Sequence, residues 1–476
     1  MKKFFKKNDL FKIVGIVILL TVLLTWLIPL GSYSSGEIVT SGITRIGLND
    51  FFTDSLLSVY YFAIIITFLL ILGALYHILS KTSGYQTLLE KFTKFLKGKE
   101  IWFVLIASFV FAALASISNE VYQLLIFVPF VITIILNLKM DKLTALSTTF
   151  GSILIGVLGT TFSPMILEEM NSYLSLTYNT EIFTKIMLFV VTYLLFNFFN
   201  YMHIKKTLKS KDKVDETKDD KFALPEKTEK SKIWPLIVTL GILAVYVIIA
   251  YIPWESVFAY EGFANFNTWL TGLSIKEVPV VSYVLGTTYA FGAWDLYSLQ
   301  MIMLIAIGVI ACIYKIKFDD LLKAFGEGAK KMLKPILIVL MVYIVCIFTV
   351  IYPVMPTIIS WIMGAVKSVT SFGGVLLTSL SAIISSIFNV ELRYSVEGLI
   401  PYFASTFGSE TANPVIMIIF QAFYGFTQFF APTSLMLMLG LAYLDIPYKE
   451  WLKYIWKFLV GLFVVILIIV CFVAFL

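Results

Sequence analysis

Charge is what this chain has least of. Asp, Glu, Lys and Arg make up 14% of its 476 residues, against about a quarter in soluble domains. With 59% hydrophobic residues and a mean hydropathy of +0.91, the shortage excludes a soluble protein. Histidine is rarer still. His77 and His203 sit singly at the ends of apolar runs, which excludes a zinc cluster or a His-based catalytic triad. The three cysteines, Cys312, Cys346 and Cys471, lie inside apolar runs at no metal-like spacing and read as small packing residues. No G-x-x-x-x-G-K-S/T loop occurs, so ATP is not implied. The acid pairs Asp219-Asp220 and Asp319-Asp320 both look like solvated charge. A membrane-embedded enzyme needs more than that, and a channel needs a continuous polar stripe along several spans; both stay as rival readings. Period-two alternation is also missing, which argues against a transmembrane barrel.

What is present is a series of long apolar runs, the signature of membrane-spanning helices. The formal charge of +6 comes from Lys and Arg beside those runs, a pattern of membrane orientation rather than of nucleic-acid binding. Five lysines within Met1–Lys12 precede the first run. That run is too long for a signal peptide and no small-residue cleavage site follows, so it reads as a first span with a cytoplasmic N-terminus. The fold class expected is an all-α polytopic membrane protein with about nine spans and two re-entrant hairpins. Residues 1–203 form a first repeat, with span 11–30, an external loop 31–57, a second span 58–79, a hairpin 101–138 with a short first arm, and a broken span 142–164. A cytoplasmic linker, 204–232, carries ten Lys and seven acids. Residues 233–296 add a connecting span and an external segment, itself a candidate for a further re-entrant stretch. Residues 297–476 form a second repeat, with an amphipathic stretch at 318–333, an interfacial helix at 357–370, a hairpin 375–407 and a broken span 413–443.

The two halves share signals. SISNE at 116–120 compares with SIFNVE at 386–391, and TTFSP at 160–164 with FFAPTS at 429–434. Asn119 and Pro164 are 45 residues apart, Asn389 and Pro432 43. The order of elements matches, and the Lys distribution gives the halves opposite orientation. That is an inverted-topology repeat, in which paired interrupted segments mark a mid-membrane solute site.

The stretches SNE, LKMD and GTTFSP, then APTS followed by GLAYLDIPYKEWLKYIWKF, together with the opening WLIPLGSY at 26–33, resemble the YfcC/DcuC-type carriers. These are the C4-dicarboxylate anaerobic carrier family and its basic amino-acid antiporter relatives, within the ion transporter superfamily. The resemblance covers nearly the whole chain and is most specific from Pro432 to Trp451. It implies two hairpins, two broken helices, a scaffold that forms a homodimer, and elevator-type transport. Two features depart from the family pattern: Thr-Phe-Ser-Pro stands in place of an Asn-Pro break, and the second tip reads Asn389-Val390-Glu391-Leu392-Arg393 rather than a small, Ser/Gly-rich turn.

The candidate binding residues are Ser116, Ser118, Asn119 and Glu120 at the first tip and Gly159, Thr160, Thr161 and Ser163 at the first break. Asn389, Glu391 and Arg393 mark the second tip, and Pro432, Thr433 and Ser434 the second break. A broken helix frees N–H groups at one half-helix start, which favour anions, and C=O groups at the other half's end, which favour cations. Hydroxyls add either partner, although Ser and Thr in spans also bond their own helix. Charges inside the bilayer are costly and face a cavity or pair. Glu120 is a lone acid at a tip: a proton carrier, a cation ligand, or a cap on the arm that follows. Arg393 either pairs with Glu391 or Glu397 or grips a substrate carboxylate bidentately. Together these residues describe a secondary active transporter in the plasma membrane, moving a small charged metabolite by alternating access. The resemblance implies an amino acid or a C4-dicarboxylate as the solute; the excess of acids near the tips tilts toward an amino acid or cation. No cofactor is expected, and H+ or Na+ are the candidate coupling ions.

Overall fold

Within hydrocarbon every backbone N–H and C=O needs a partner from the chain itself, so the apolar runs become helices. The computed structural model describes residues 9–475 apart from 35–36, 119–120, 210–232, 276–277 and 367. The chain opens with α1 (Asp9–Leu27), an antiparallel pair β1 (Gly31–Ser34) and β2 (Glu37–Thr40), α2 (Leu48–Tyr61), α3 (Ala63–Lys81) and the amphipathic α4 (Ser83–Leu96). Helices α5 (Glu100–Ile117) and α6 (Val128–Asn137) flank the first tip, with a 3-10 turn at Tyr122–Ile126 between them. Then come α7 (Lys142–Leu146), a π turn at Ser147–Gly151, α8 (Ser152–Leu158), a break, α9 (Pro164–Leu174) and α10 (Ile182–Lys209). The connection holds α11 (Trp234–Tyr251), α12 (Gly262–Thr271) and α13 (Val280–Leu285). The second half runs α14 (Leu296–Ile313), amphipathic α15 (Phe318–Lys331), α16 (Leu333–Ile351), α17 (Met355–Met363), α18 (Phe372–Phe388), α19 (Leu392–Phe407), α20 (Ala412–Gln428), α21 (Leu435–Leu444) and α22 (Tyr448–Phe475).

The chain is a helical, multi-pass membrane protein. Among the described residues eight helices are long and apolar enough to cross a membrane: α1, α3, α5, α10, α11, α14, α16 and α22. Several local expectations need correction. The loop 31–57 contains a strand pair and a helix. Its strand pair is anchored to the second half, because Gly31 N donates to Pro353 O at 2.8 Å and Thr357 Oγ1 to Pro29 O at 2.9 Å. The first arm of the hairpin 101–138 is not short. α5 continues through Ser116, whose hydroxyl finds partners across the helix interface (below), and its 18 residues reach about 27 Å. α18 likewise passes through Ser386 and Phe388, so the second turn shrinks to Asn389–Glu391. α10 extends to Lys209, into the expected linker; residues 210–232 of that linker lie outside the described part.

Matching elements of the two halves exchange partners, as a two-fold relation requires. α1 packs on α16 while α14 packs on α3; α2 packs on α16 while α15 packs on α3. α5 lies along α8 as α18 lies along α20, and α10 meets α22. Two sets of helices emerge: α1–α3 with α14–α16, and α5–α10 with α18–α22. α16 also touches α21 and so borders both.

Candidate functional site

The first break follows from Gly159 and from Pro164, which has no N–H to continue a helix. Its freed groups are satisfied by neighbours. Ser116 Oγ donates to Gly159 O at 2.7 Å and lies 2.9 Å from Thr161 Oγ1, while Thr161 N donates to Ser116 O at 3.0 Å. Thr160 Oγ1 turns back to Val157 O of its own helix, 2.8 Å away. The carbonyls of the break receive a donor from the other half: Gln421 Nε2 donates to Thr160 O at 2.7 Å and to Leu158 O at 3.3 Å. Glycines permit these approaches. A Cβ on Gly156 would lie 2.4 Å from Ala112 O, and one on Gly425 2.3 Å from Leu158 Cα.

The second break repeats the arrangement. Thr433 Oγ1 donates to Ile387 O at 2.6 Å, joining the break to the end of the arm before the second tip, as Thr161 and Ser116 do in the first half. Ser434 precedes α21; its Oγ is buried with no hydrogen-bond partner. Asn389 braces the tip, its Nδ2 donating to Ser385 Oγ at 3.2 Å and its carbonyl accepting from Ser395 Oγ at 3.4 Å. Glu391 accepts from Tyr343 Oη at 2.7 Å, and Tyr343 Oη lies 2.9 Å from Tyr122 Oη.

All four features border one cavity of about 380 Å³. Ser118, Val121 and Tyr122 come from the first tip, Thr160 and Ser163 from the first break, and Val390 and Glu391 from the second tip. Tyr424 and Gln428 come from α20, Leu435 and Met436 from the start of α21, and Asp295 from the residue before α14. The start of α21, whose first turn has no side-chain cap, opens here, and Ser163, immediately before α9, lines the same wall; a helix start carries the positive end of a helix dipole. The charged side chains in the described lining are two acids, Asp295 and Glu391, with no Lys, Arg or His among them.

Of the residues singled out from the sequence, Ser118, Thr160, Ser163 and Glu391 line the cavity. Ser116, Gly159, Thr161, Asn389, Pro432, Thr433 and Ser434 are not in that lining; Ser116, Thr161 and Thr433 hold tip and break together and Asn389 braces the second tip. Arg393 is on the outside of α19. Its exposed guanidinium donates to Glu397 at 2.9 Å and lies 3.6 Å from Glu169, away from the cavity. Asn119 and Glu120 lie outside the described residues. The sequence reading missed Tyr122, Tyr343, Asp295, Gln421, Tyr424 and Gln428. Only the two glutamines left a usable signal: two amides seven residues apart fall on one face of an otherwise apolar helix.

The family model DcuC, described as C4-dicarboxylate anaerobic carrier, matches residues 8–475. The curated proteins give no match. Among solved structures, the YdaH transporter of Alcanivorax borkumensis is 14% identical, with 97% of this chain and 98% of that chain covered and a TM-score of 0.41.

Proposed function

The chain belongs to the C4-dicarboxylate anaerobic carrier family, and from that premise we propose that a C4-dicarboxylate binds in the cavity between its halves and crosses by alternating access. The observation that carries this reading is that Ser163, immediately before α9, and Leu435, at the start of α21, line one cavity. A helix start offers N–H groups and a positive dipole end to a carboxylate, so a molecule with a carboxylate at both ends suits a site between two such starts.

Elevator motion is the form of alternating access favoured by the packing. The set α5–α10 with α18–α22 holds both tips and both breaks, and α1–α3 with α14–α16 forms the frame against which it slides. Because the lining carries two acids, a dianion needs a proton or Na+ beside it. We therefore expect cation-coupled symport or exchange, with the N-terminus on the cytoplasmic side of the cell membrane. An amino acid is the second reading, favoured by Glu391 and Asp295, which would receive its ammonium group.

Purified protein in liposomes is to be tested with labelled succinate and labelled amino acids, with and without H+ and Na+ gradients. Saturable succinate uptake that responds to a gradient or to internal succinate is expected. Flux linear in concentration, or uptake of amino acids alone, would overturn the dicarboxylate reading.

A further inference from the structure

We propose that Tyr343 is a latch tying both tips to α16, and that the charge on Glu391 sets its strength; this rests on the reading that the cavity carries the solute. Tyr343 belongs to α16, in the frame. Its ring is buried and stacks on Phe62, with centroids 3.5 Å apart and planes at 12°, so the hydroxyl has a fixed position. That hydroxyl meets Tyr122, at the first tip, and Glu391, at the second. It is the point at which one frame side chain holds elements of both halves.

The direction of donation follows from chemistry. An ionised carboxylate only accepts, so Tyr343 gives its single proton to Glu391 and Tyr122 donates to Tyr343. Both hydroxyl dipoles then point at the charge, which makes the contact charge-assisted and stronger than a neutral one. Among the described residues, the groups that interact with Glu391 are Tyr343 and Cys346 from α16, Tyr394 from α19 and Tyr424 from α20, with Tyr122 of the 3-10 turn reaching it through Tyr343. Arg393, also on α19, is committed outward to Glu397 and Glu169. Among the described residues no Lys, Arg or His forms an ion pair with Glu391. The cavity that Glu391 lines can supply the counter-charge, as a proton or a bound cation. Its arrival neutralises Glu391, reduces the latch to a neutral hydrogen bond, and lets both tips leave α16 together. Loading a cation and releasing the moving set thereby become one event.

Cys346, one turn beyond Tyr343 and buried beside Glu391, reports the parting of α16 from the second tip. With Cys312→Ser and Cys471→Ser it is the sole thiol in the chain. Its rate of alkylation by an uncharged maleimide is measured on folded protein in nanodiscs and divided by the rate in unfolded protein at the same pH. Losing a hydrogen bond to a charged group predicts labelling faster by about tenfold or more in Tyr343→Phe at pH 7. Tyr122→Phe, which removes only the outer hydroxyl, should give a smaller rise. Glu391→Gln should also label faster and should abolish the increase that the parent protein shows as pH falls. Parent-like rates in both tyrosine variants, or an unchanged pH profile in Glu391→Gln, would overturn the latch. Labelling needs no transport: if labelling responds as stated while succinate uptake fails, the latch stands and the solute assignment falls.

Discussion

Gln421→Met isolates the contact by which one half fixes the break of the other. Methionine matches glutamine in length and flexibility, so packing at this fully buried site changes little. What disappears is the amide donor. Thr160 O, 2.7 Å away, loses a good hydrogen bond, and Leu158 O, at 3.3 Å, loses a weak one. Polar contacts between membrane helices are worth about 0.6 kcal/mol on average and up to about 1.7. A buried carbonyl left without a donor costs about 1–3 kcal/mol. The variant should therefore lose about 1–2 kcal/mol in reversible unfolding in mixed micelles. Because the two carbonyls set the geometry of the first break, succinate affinity should fall by roughly fivefold to thirtyfold, the equivalent of that energy. Gln421→Glu removes the donor and sets a carboxylate against both carbonyls, so its loss should be larger. If Gln421→Met unfolds and binds succinate like the parent, the break is not held by α20.

Two further substitutions test the fold around the site. Gly425→Ala places its Cβ 2.3 Å from the Cα of Leu158, a backbone atom that cannot rotate away, so α20 and α8 must separate. A cost of about 1–3 kcal/mol and a lower melting temperature are expected, whereas Gly461→Ala, whose Cβ meets only Leu195 Cδ2 at 3.9 Å, should be silent. Asp141 caps α7 through Thr144 N at 2.8 Å and accepts from His203 Nε2 at 2.8 Å. Burial pushes its carboxyl upward, but the bonds from His203 and Thr144 outweigh this and hold it below its ordinary value of 3.8. A depressed folded value means the stabilisation is complete above that ordinary value and is lost as pH falls through the folded one. Asp141→Asn should melt lower than the parent at pH 7, and the gap should narrow as pH falls below that ordinary value; parallel curves would refute the assignment.

The sequence made the breaks legible because their causes are local. Pro164 and Pro432 each remove a helix donor, hydroxyls cluster beside them, and the Lys pattern and spacing repeat. The amphipathic α15 was visible for the same reason, with apolar and charged residues alternating at helical spacing. The strand pair at 31–40 was not, since its partners Pro353 and Thr357 lie more than 300 residues away. Arg393 shows another limit. A charge next to a tip has a position along the chain but no azimuth, and only the packing of α19 turned it outward. Tyr343 was hidden within the apolar run LIVLMVYIVCIF, where an aromatic reads as packing. Its role depends on the hydroxyl meeting two residues, 221 and 48 positions away.

The central claim is that both tips face one solute-filled space, and substrate protection tests it most directly. On a cysteine-free background, Ser118→Cys and Val390→Cys each place one thiol on the cavity wall, from opposite halves of the chain. Saturating succinate should slow maleimide labelling of both, at the same half-effective concentration. Protection of neither thiol, or of one alone, would contradict a shared binding cavity.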